Sequence, residues 1–298
     1  KFHPTIQLTK VDPEASAEKI KKIAERHATM LTGITSLAYD TPGYGYGVKD
    51  SDGVPVLQKR LAEIAKEFDV PYVLDNAWGV PFIGHDITKS GADVIIYSMD
   101  KASESPTSGL IIGKEQYMVP IRRALGMHGD RYGTTASYGK AAYVVFDPGK
   151  EALLGMIAAL KELRDNPDEL KKPDDDMFKI VVEEFDQIHP KLRKGIIISK
   201  SYNSRAVEVN YEKTWEGDEL GFPIFSIEDM YAGSHLLQVG LSQMGVIPTV
   251  AYDANIMISP GLGTTDDNGQ IIESKFRYAV KALVKLMEII AKYSGYID

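Results

Sequence analysis

Ala92-Asp93-Val94-Ile95-Ile96-Tyr97-Ser98-Met99-Asp100-Lys101 runs from apolar residues into small and polar ones and ends on a lysine. Upstream, Val70-Pro71-Tyr72-Val73-Leu74 leads in the same way into Asp75-Asn76-Ala77-Trp78-Gly79. Short, nearly continuous apolar runs mark strands buried on both faces, and such strands belong to parallel sheets covered by helices. In open sheets of this kind ligands gather at the carboxyl ends of the strands. Ser36, Asp75 and the stretch from Ser98 to Lys101 all fall at such ends.

The flanking sequence supplies the helices. Asp12-Pro13 reads as a cap followed by the first helical position, opening a short amphipathic helix through Ile20, Ile23 and His27. Residues 30–36 read as a buried strand. Leu57, Leu61, Ile64 and Phe68 form one apolar helical face, and residues 109–112 read as a further strand. A helix is expected over residues 150–163, then a solvated, charged linker or turn over 164–176. Residues 196–199, 206–209, 246–252 and 256–259 look like strands. A last helix carries Phe276, Val280, Leu283, Met287 and Ile290. The expected fold class is therefore α/β, a mostly parallel sheet sandwiched by helices, with a smaller α+β domain at the C-terminal side. We expect residues 1–165 to form the remainder of a large domain and residues 166–298 the small one. The opening Lys1-Phe2-His3-Pro4, followed almost at once by a strand-like segment over residues 5–9, reads like a chain entered in mid-domain.

Composition narrows the chemistry. The 298 residues, 44% of them hydrophobic, suffice for a sizeable core. A net charge of −8 argues against general affinity for nucleic acid or anionic membranes. Without cysteine there is no disulfide, thiolate nucleophile or Cys-based zinc site. The six histidines are scattered, with no metal-ligand spacing, so no metal is expected. No apolar stretch approaches membrane-spanning length and no signal peptide is seen, so the expected location is cytoplasmic.

A carboxylate and an amine at neighbouring strand ends suit a cofactor bearing an aldehyde and a basic ring nitrogen. The amine forms an imine with the aldehyde, and the carboxylate keeps the ring nitrogen protonated so that the ring accepts electrons. The arrangement resembles fold type I pyridoxal-phosphate enzymes, the aspartate aminotransferase superfamily. Ser98-Met99-Asp100-Lys101, followed by Pro106-Thr107-Ser108-Gly109-Leu110-Ile111-Ile112-Gly113-Lys114, is similar to the bacterial selenocysteine synthase branch. There an S-G-D-K segment precedes a P-x-x-G-x-I-x-G-K pattern, and Arg122-Arg123-Ala124-Leu125 is similar to that branch too. Asp75-Asn76-Ala77-Trp78-Gly79 is closer in style to the D-E-A-H-G of amino-acid decarboxylases.

The resemblance implies pyridoxal 5'-phosphate as cofactor and a role for each matching residue. Lys101 would be the Schiff-base lysine and the general acid/base that moves the α-proton, and Asp75 would pair with the pyridine nitrogen. Ala77 would lie flat against the ring, Ser98 would donate to the cofactor phosphate, and Ser36 would lie near the phenolic oxygen. Trp78 is a candidate to line the substrate pocket, and His128 lies in a glycine-flanked loop that could reach an active site. An arginine ahead of an I-S-P-like stretch usually holds the substrate carboxylate in this superfamily. Asn255-Ile256-Met257-Ile258-Ser259-Pro260 carries none, which leaves Arg205 as the candidate and Arg277 as a solvated residue.

The same resemblance requires a glycine/serine/threonine turn at a helix N-terminus to hold the phosphate. None is recognisable before Asp75, and Gly43-x-Gly45-x-Gly47 lacks the needed spacing. The expectation is that the phosphate cup comes from an N-terminal segment or a second chain. The expected activity is that of a lyase or transferase acting on an amino acid or aminoacyl substrate, by β/γ-elimination or replacement. An aminotransferase or amino-acid decarboxylase is the alternative within the fold. A non-catalytic pyridoxal-enzyme-like subunit and a nucleotide-binding α/β protein are the alternatives from other classes. A homodimer or higher oligomer is expected, because active sites of this superfamily lie near a dimer interface.

Overall fold

The computed structural model describes residues 12–38, 48–83, 87–101, 103–124, 149–201, 204–216, 221–224, 236–247, 250–252, 254–261 and 263–298. The first half opens with α1 (Pro13–Arg26), β1 (Ile34–Leu37), α2 (Val56–Glu67) and β2 (Tyr72–Asp75). It continues with α3 (Ile87–Ser90), β3 (Val94–Ser98), β4 (Gly109–Gly113) and α4 (Glu115–Ala124). These strands form one sheet in the order β1-β2-β3-β4. β1, β2 and β3 run parallel and β4 is antiparallel to β3. Asp12 caps α1 as its position before Pro13 requires, its Oδ1 accepting from the Glu14 and Ala15 N–H groups. Leu57, Leu61 and Ile64 of α2 bury one face against Tyr72, Leu74, Ile95 and Tyr97 of the sheet.

The second half contains α5 (Lys150–Asp165), α6 (Pro167–Phe185), α7 (Pro190–Lys194), β5 (Ile197–Lys200) and β6 (Val207–Asn210). α8 (Leu236–Gln243), β7 (Val250–Tyr252), β8 (Asn255–Ile258) and α9 (Glu273–Tyr293) complete it. Its sheet is antiparallel throughout, in the order β5-β6-β8-β7. Val207, Val209 and Ile256 turn one face of that sheet to a second core with Phe185, Phe276 and Met287.

Three expectations need correction. Residues 30–36 are not strand throughout: a 3-10 turn covers Ala28–Met30, and Met30 is 79% exposed. Strand pairing begins only where the Ile34 N–H meets the Pro71 carbonyl at 2.9 Å. The charged run over 164–176 is no linker but the junction of α5 and α6. Asn166 breaks the helix, Pro167 restarts it, and the buried Met177, Ile180, Val181 and Phe185 anchor the polar stretch ahead of them. Arg277 is not a solvated bystander. Its guanidinium binds Glu184, Glu183 and Glu273, each at 2.7 Å, and so ties α9 to α6. The hydrogen bond that Arg277 donates to Glu184 leads the three carboxylates in pushing the Arg277 pKa up.

Candidate active site

Three parallel strands set the register of the site. Leu37 lies beside Asp75, and Asp75 beside Ile96, so β1, β2 and β3 end on one edge. Past that edge the backbone stays tied to both sides: the Asp75 carbonyl accepts from Ala38 N–H and Asn76 N–H donates to the Ile96 carbonyl, both at 2.8 Å. Asp75 is half-buried, and its Oδ1 accepts the Ala77 N–H at 3.0 Å. A short polar residue accepting from the backbone two positions on closes a tight turn. The turn leaves the carboxylate half-buried at the end of β2.

Asn76, 3% exposed, hydrogen-bonds the phenol of Tyr97, itself 3% exposed. Gly79 follows from this packing: a Cβ there would lie 2.1 Å from Asn76 Oδ1. Burial pushes the Tyr97 pKa above its ordinary 10.0, partly offset by the Asn76 hydrogen bond. In the unfolded chain the phenol ionises first. The stability this group contributes is therefore complete below pH 10 and is lost as pH climbs through the folded value. Tyr97→Phe is expected to flatten the fall of the urea midpoint above about pH 10 relative to wild type. An unchanged alkaline slope would contradict that role.

Lys101 sits in the turn after β3. The Met99 N–H donates to the Ser108 carbonyl, the Ser105 N–H to the Met99 carbonyl and the Glu104 N–H to the Lys101 carbonyl. The lysine is exposed, and its Nζ lies 5.2 Å from the centroid of the Trp78 ring. An ammonium at that distance over an indole is attracted by the ring quadrupole. The contact brings the lysine turn and the turn after Asp75 onto one surface. Ala77 is half-buried between Asp75 and Trp78.

The remaining candidates are placed less directly. Ser98 Oγ donates to Asp100 Oδ1, and Ser36 Oγ is 2.7 Å from the Tyr72 hydroxyl. Arg205 Nη1 donates to Glu104 Oε1 at 3.2 Å, beside the lysine turn rather than against Lys101 itself. His128, His85, the glycine-rich loop and residues 5–9 lie outside the described residues. Sequence reading passed over Asn76 and Tyr97, which brace the strand ends from below, and Glu104, which holds Arg205. Among the described residues no group of three His, Cys, Asp or Glu side chains could hold a metal, and no helix is long and apolar enough to cross a membrane.

No family model matches the chain. An L-seryl-tRNA(Sec) selenium transferase of Carboxydothermus hydrogenoformans is 23% identical over 168 residues, covering 51% of this chain and 33% of that protein. A 5'-C-glycyluridine monooxygenase-decarboxylase of a Streptomyces species is 33% identical over 117 residues, covering 39% of this chain and 25% of that protein. The matched region thus spans a third or less of these curated relatives. Among solved structures, an omega transaminase from Pseudomonas jessenii in complex with PMP superposes with a TM-score of 0.53 at 12% identity, covering 95% of this chain and 56% of that one. A SepCysS–SepCysE N-terminal domain complex gives 0.50 at 15% identity, covering 92% and 65%. These structural likenesses concern the fold.

Proposed function

We propose that this chain, whose architecture is that of the fold type I pyridoxal-phosphate enzymes near the selenocysteine synthase branch, acts on an amino acid or aminoacyl substrate through Lys101 and Asp75. Pyridoxal phosphate is the cofactor expected of this fold. One observation carries the reading: a carboxylate and a lysine stand at the carboxyl ends of adjacent parallel strands, with the lysine amine over the turn that follows the carboxylate. When bound, the cofactor supplies an aldehyde for the amine and an electron-accepting ring.

The residues fit that group. Asp75 has one oxygen engaged by its own turn, so the carboxylate is already oriented to take a protonated ring nitrogen. Ala77, two residues on, presents only a methyl where a flat ring must pass. Lys101 would hold the aldehyde and, when not bound to it, would carry the proton to and from the substrate Cα. Trp78 keeps the freed amine near the ring edge. Ser98 and Ser36 are offered as cofactor contacts and Arg205 as the holder of the substrate carboxylate; His128 is retained as a substrate-side residue.

An N-terminal segment or a second chain supplying the phosphate turn is part of the proposal. Among the described residues before Asp75, α1 has its first N–H groups taken by Asp12 and α2 starts behind Pro55. Neither is a glycine-rich anion turn. An N-terminal segment, a second copy or a different chain would bring one.

Elimination or replacement at Cβ or Cγ is the preferred reaction, supported by the Ser98–Lys101 segment and the lack of an arginine before Ser259-Pro260. Transamination or decarboxylation is the second reading, favoured by the transaminase-like fold. β-Chloroalanine separates them. Elimination removes the α-proton, expels chloride and, after hydrolysis, yields ammonia and pyruvate in equal amounts. Stoichiometric ammonia is the expected result; a keto acid without ammonia would point to amino transfer, and released carbon dioxide to decarboxylation.

A further inference from the structure

Helix α7 meets the C-terminal part of α9 in the second half of the chain. The His189 N–H, at the start of α7, donates to Glu288 Oε1 at 3.0 Å. Lys191 Nζ stands 4.6 Å from the centroid of the Tyr296 ring, just past the end of α9, and Leu192 and Ile290 are buried in the same core. The junction is cationic in an acidic chain. Over residues 186–194 and 285–293, Lys191, Arg193, Lys194, Lys285 and Lys292 outweigh Asp186 and Glu288 to leave +3. The chain as a whole is at −8, so the rest of it carries −11.

Both acids of the junction are engaged. Asp186 accepts from Arg193 Nε at 2.8 Å, and Glu288 takes the His189 N–H with Lys285 at 3.7 Å. Lys194 and Lys292 are exposed and, among the described residues, form no ion pair. Apolar side chains stand among these cations. Ile289 is 41% exposed and Tyr293 86%. Their spacing from Lys285 puts them, with Lys292, on one face of α9. An isolated apolar residue on a surface needs no explanation. Two neighbours on one helix face, one of them a tyrosine, set inside a positive field, combine an anchor with electrostatic attraction.

We propose that this face docks an acidic segment of a partner polypeptide. Its carboxylates meet Lys194, Lys285 and Lys292, and an apolar side chain packs on Ile289 and the Tyr293 ring. Charge complementarity selects the occupant. At physiological ionic strength the field of exposed charges fades within about 8 Å, so a short acidic segment lies wholly inside the patch. A nucleic acid or an anionic membrane extends beyond it, over surface that carries the chain's negative excess and repels both. The inference is independent of the chemistry assigned to Lys101.

Fluorescence anisotropy of the full chain with a labelled peptide, in which glutamate pairs alternate with single leucines, tests the assignment. The peptide should bind in the range of about 10–100 μM and more weakly as salt is raised. Lys285→Glu with Lys292→Glu should weaken it by about tenfold or more, and Tyr293→Ala by roughly fivefold. Lys22→Glu with Lys66→Glu makes the same change in net charge away from the patch and should leave the affinity within about twofold. These side chains are all exposed, so the urea midpoint of each variant should match wild type. No peptide binding, or equal weakening by the two double variants, would overturn the docking face. Polyglutamate of the same length binding as tightly as the mixed peptide would overturn the apolar anchor. Binding of phosphatidylserine vesicles or single-stranded DNA through Lys285 and Lys292, with none of the peptide, would overturn the choice of a polypeptide.

Discussion

Lys101→Ala is expected to lower ammonia release from β-chloroalanine by roughly 10³–10⁴-fold, since one substitution removes both the covalent anchor and the proton carrier. The fold should not suffer. Lys101 is exposed in a turn whose hydrogen bonds are made by backbone groups, and a methyl at that position meets no packing demand. Among the described residues, alanine gives up only the cation–ring interaction that the lysine makes with Trp78 at 5.2 Å. Exposed interactions of that kind contribute about 0.5–1 kcal/mol. Lys101→Arg separates charge from chemistry: it keeps a cation over the indole but offers no amine that condenses with an aldehyde at neutral pH. It should be as inactive as alanine. Added methylamine should restore part of the activity in Lys101→Ala, because the missing function is a diffusible amine. Wild-type turnover in Lys101→Ala would remove the lysine from the reaction.

Asp75→Asn should reduce the same activity by on the order of 10²–10³-fold while leaving cofactor attachment to Lys101 intact. Asparagine has nearly the same size, and its side-chain oxygen still accepts the Ala77 N–H, so the turn at the end of β2 survives. What disappears is the negative charge that holds a ring nitrogen protonated. Turnover and lysine adduct are therefore expected to separate in this variant. Their joint loss would make Asp75 a structural support of the turn, and full turnover would place its carboxylate outside the chemistry.

The strands that frame this site were legible because a buried parallel strand must be apolar almost throughout, and β2 and β3 are. The ends of those strands were equally readable, since polarity returns abruptly at Asp75 and Ser98. Residues 30–33 misled because Met30 and Leu31 open the segment with apolar side chains, but pairing depends on register with Pro71, which composition does not encode. The charged run after Arg164 was misread because its own residues do not reveal that Met177, Ile180 and Phe185 further along anchor it as helix.

Long-range pairs were the least visible. Arg205 and Glu104 are 101 positions apart, and Arg277 lies 93 and 94 positions from the glutamates it clamps. Nothing local marks either pair. Asn76 and Tyr97 carried a faint signal, each standing next to a proposed site residue, but a buried amide–phenol brace becomes evident only when the two strands lie side by side. The domain division near residue 165 remains our proposal. Separate cores around Leu74 and around Phe185 support it.

The central claim is that Lys101 carries pyridoxal phosphate, and borohydride reduction followed by peptide mass mapping tests it most directly. The purified chain, incubated with the cofactor alone and with any copurifying partner, should yield a pyridoxyl adduct on the peptide containing Lys101 and none on that peptide in Lys101→Ala. An adduct confined to other lysines, or no adduct in the presence of cofactor and partner, would contradict the account.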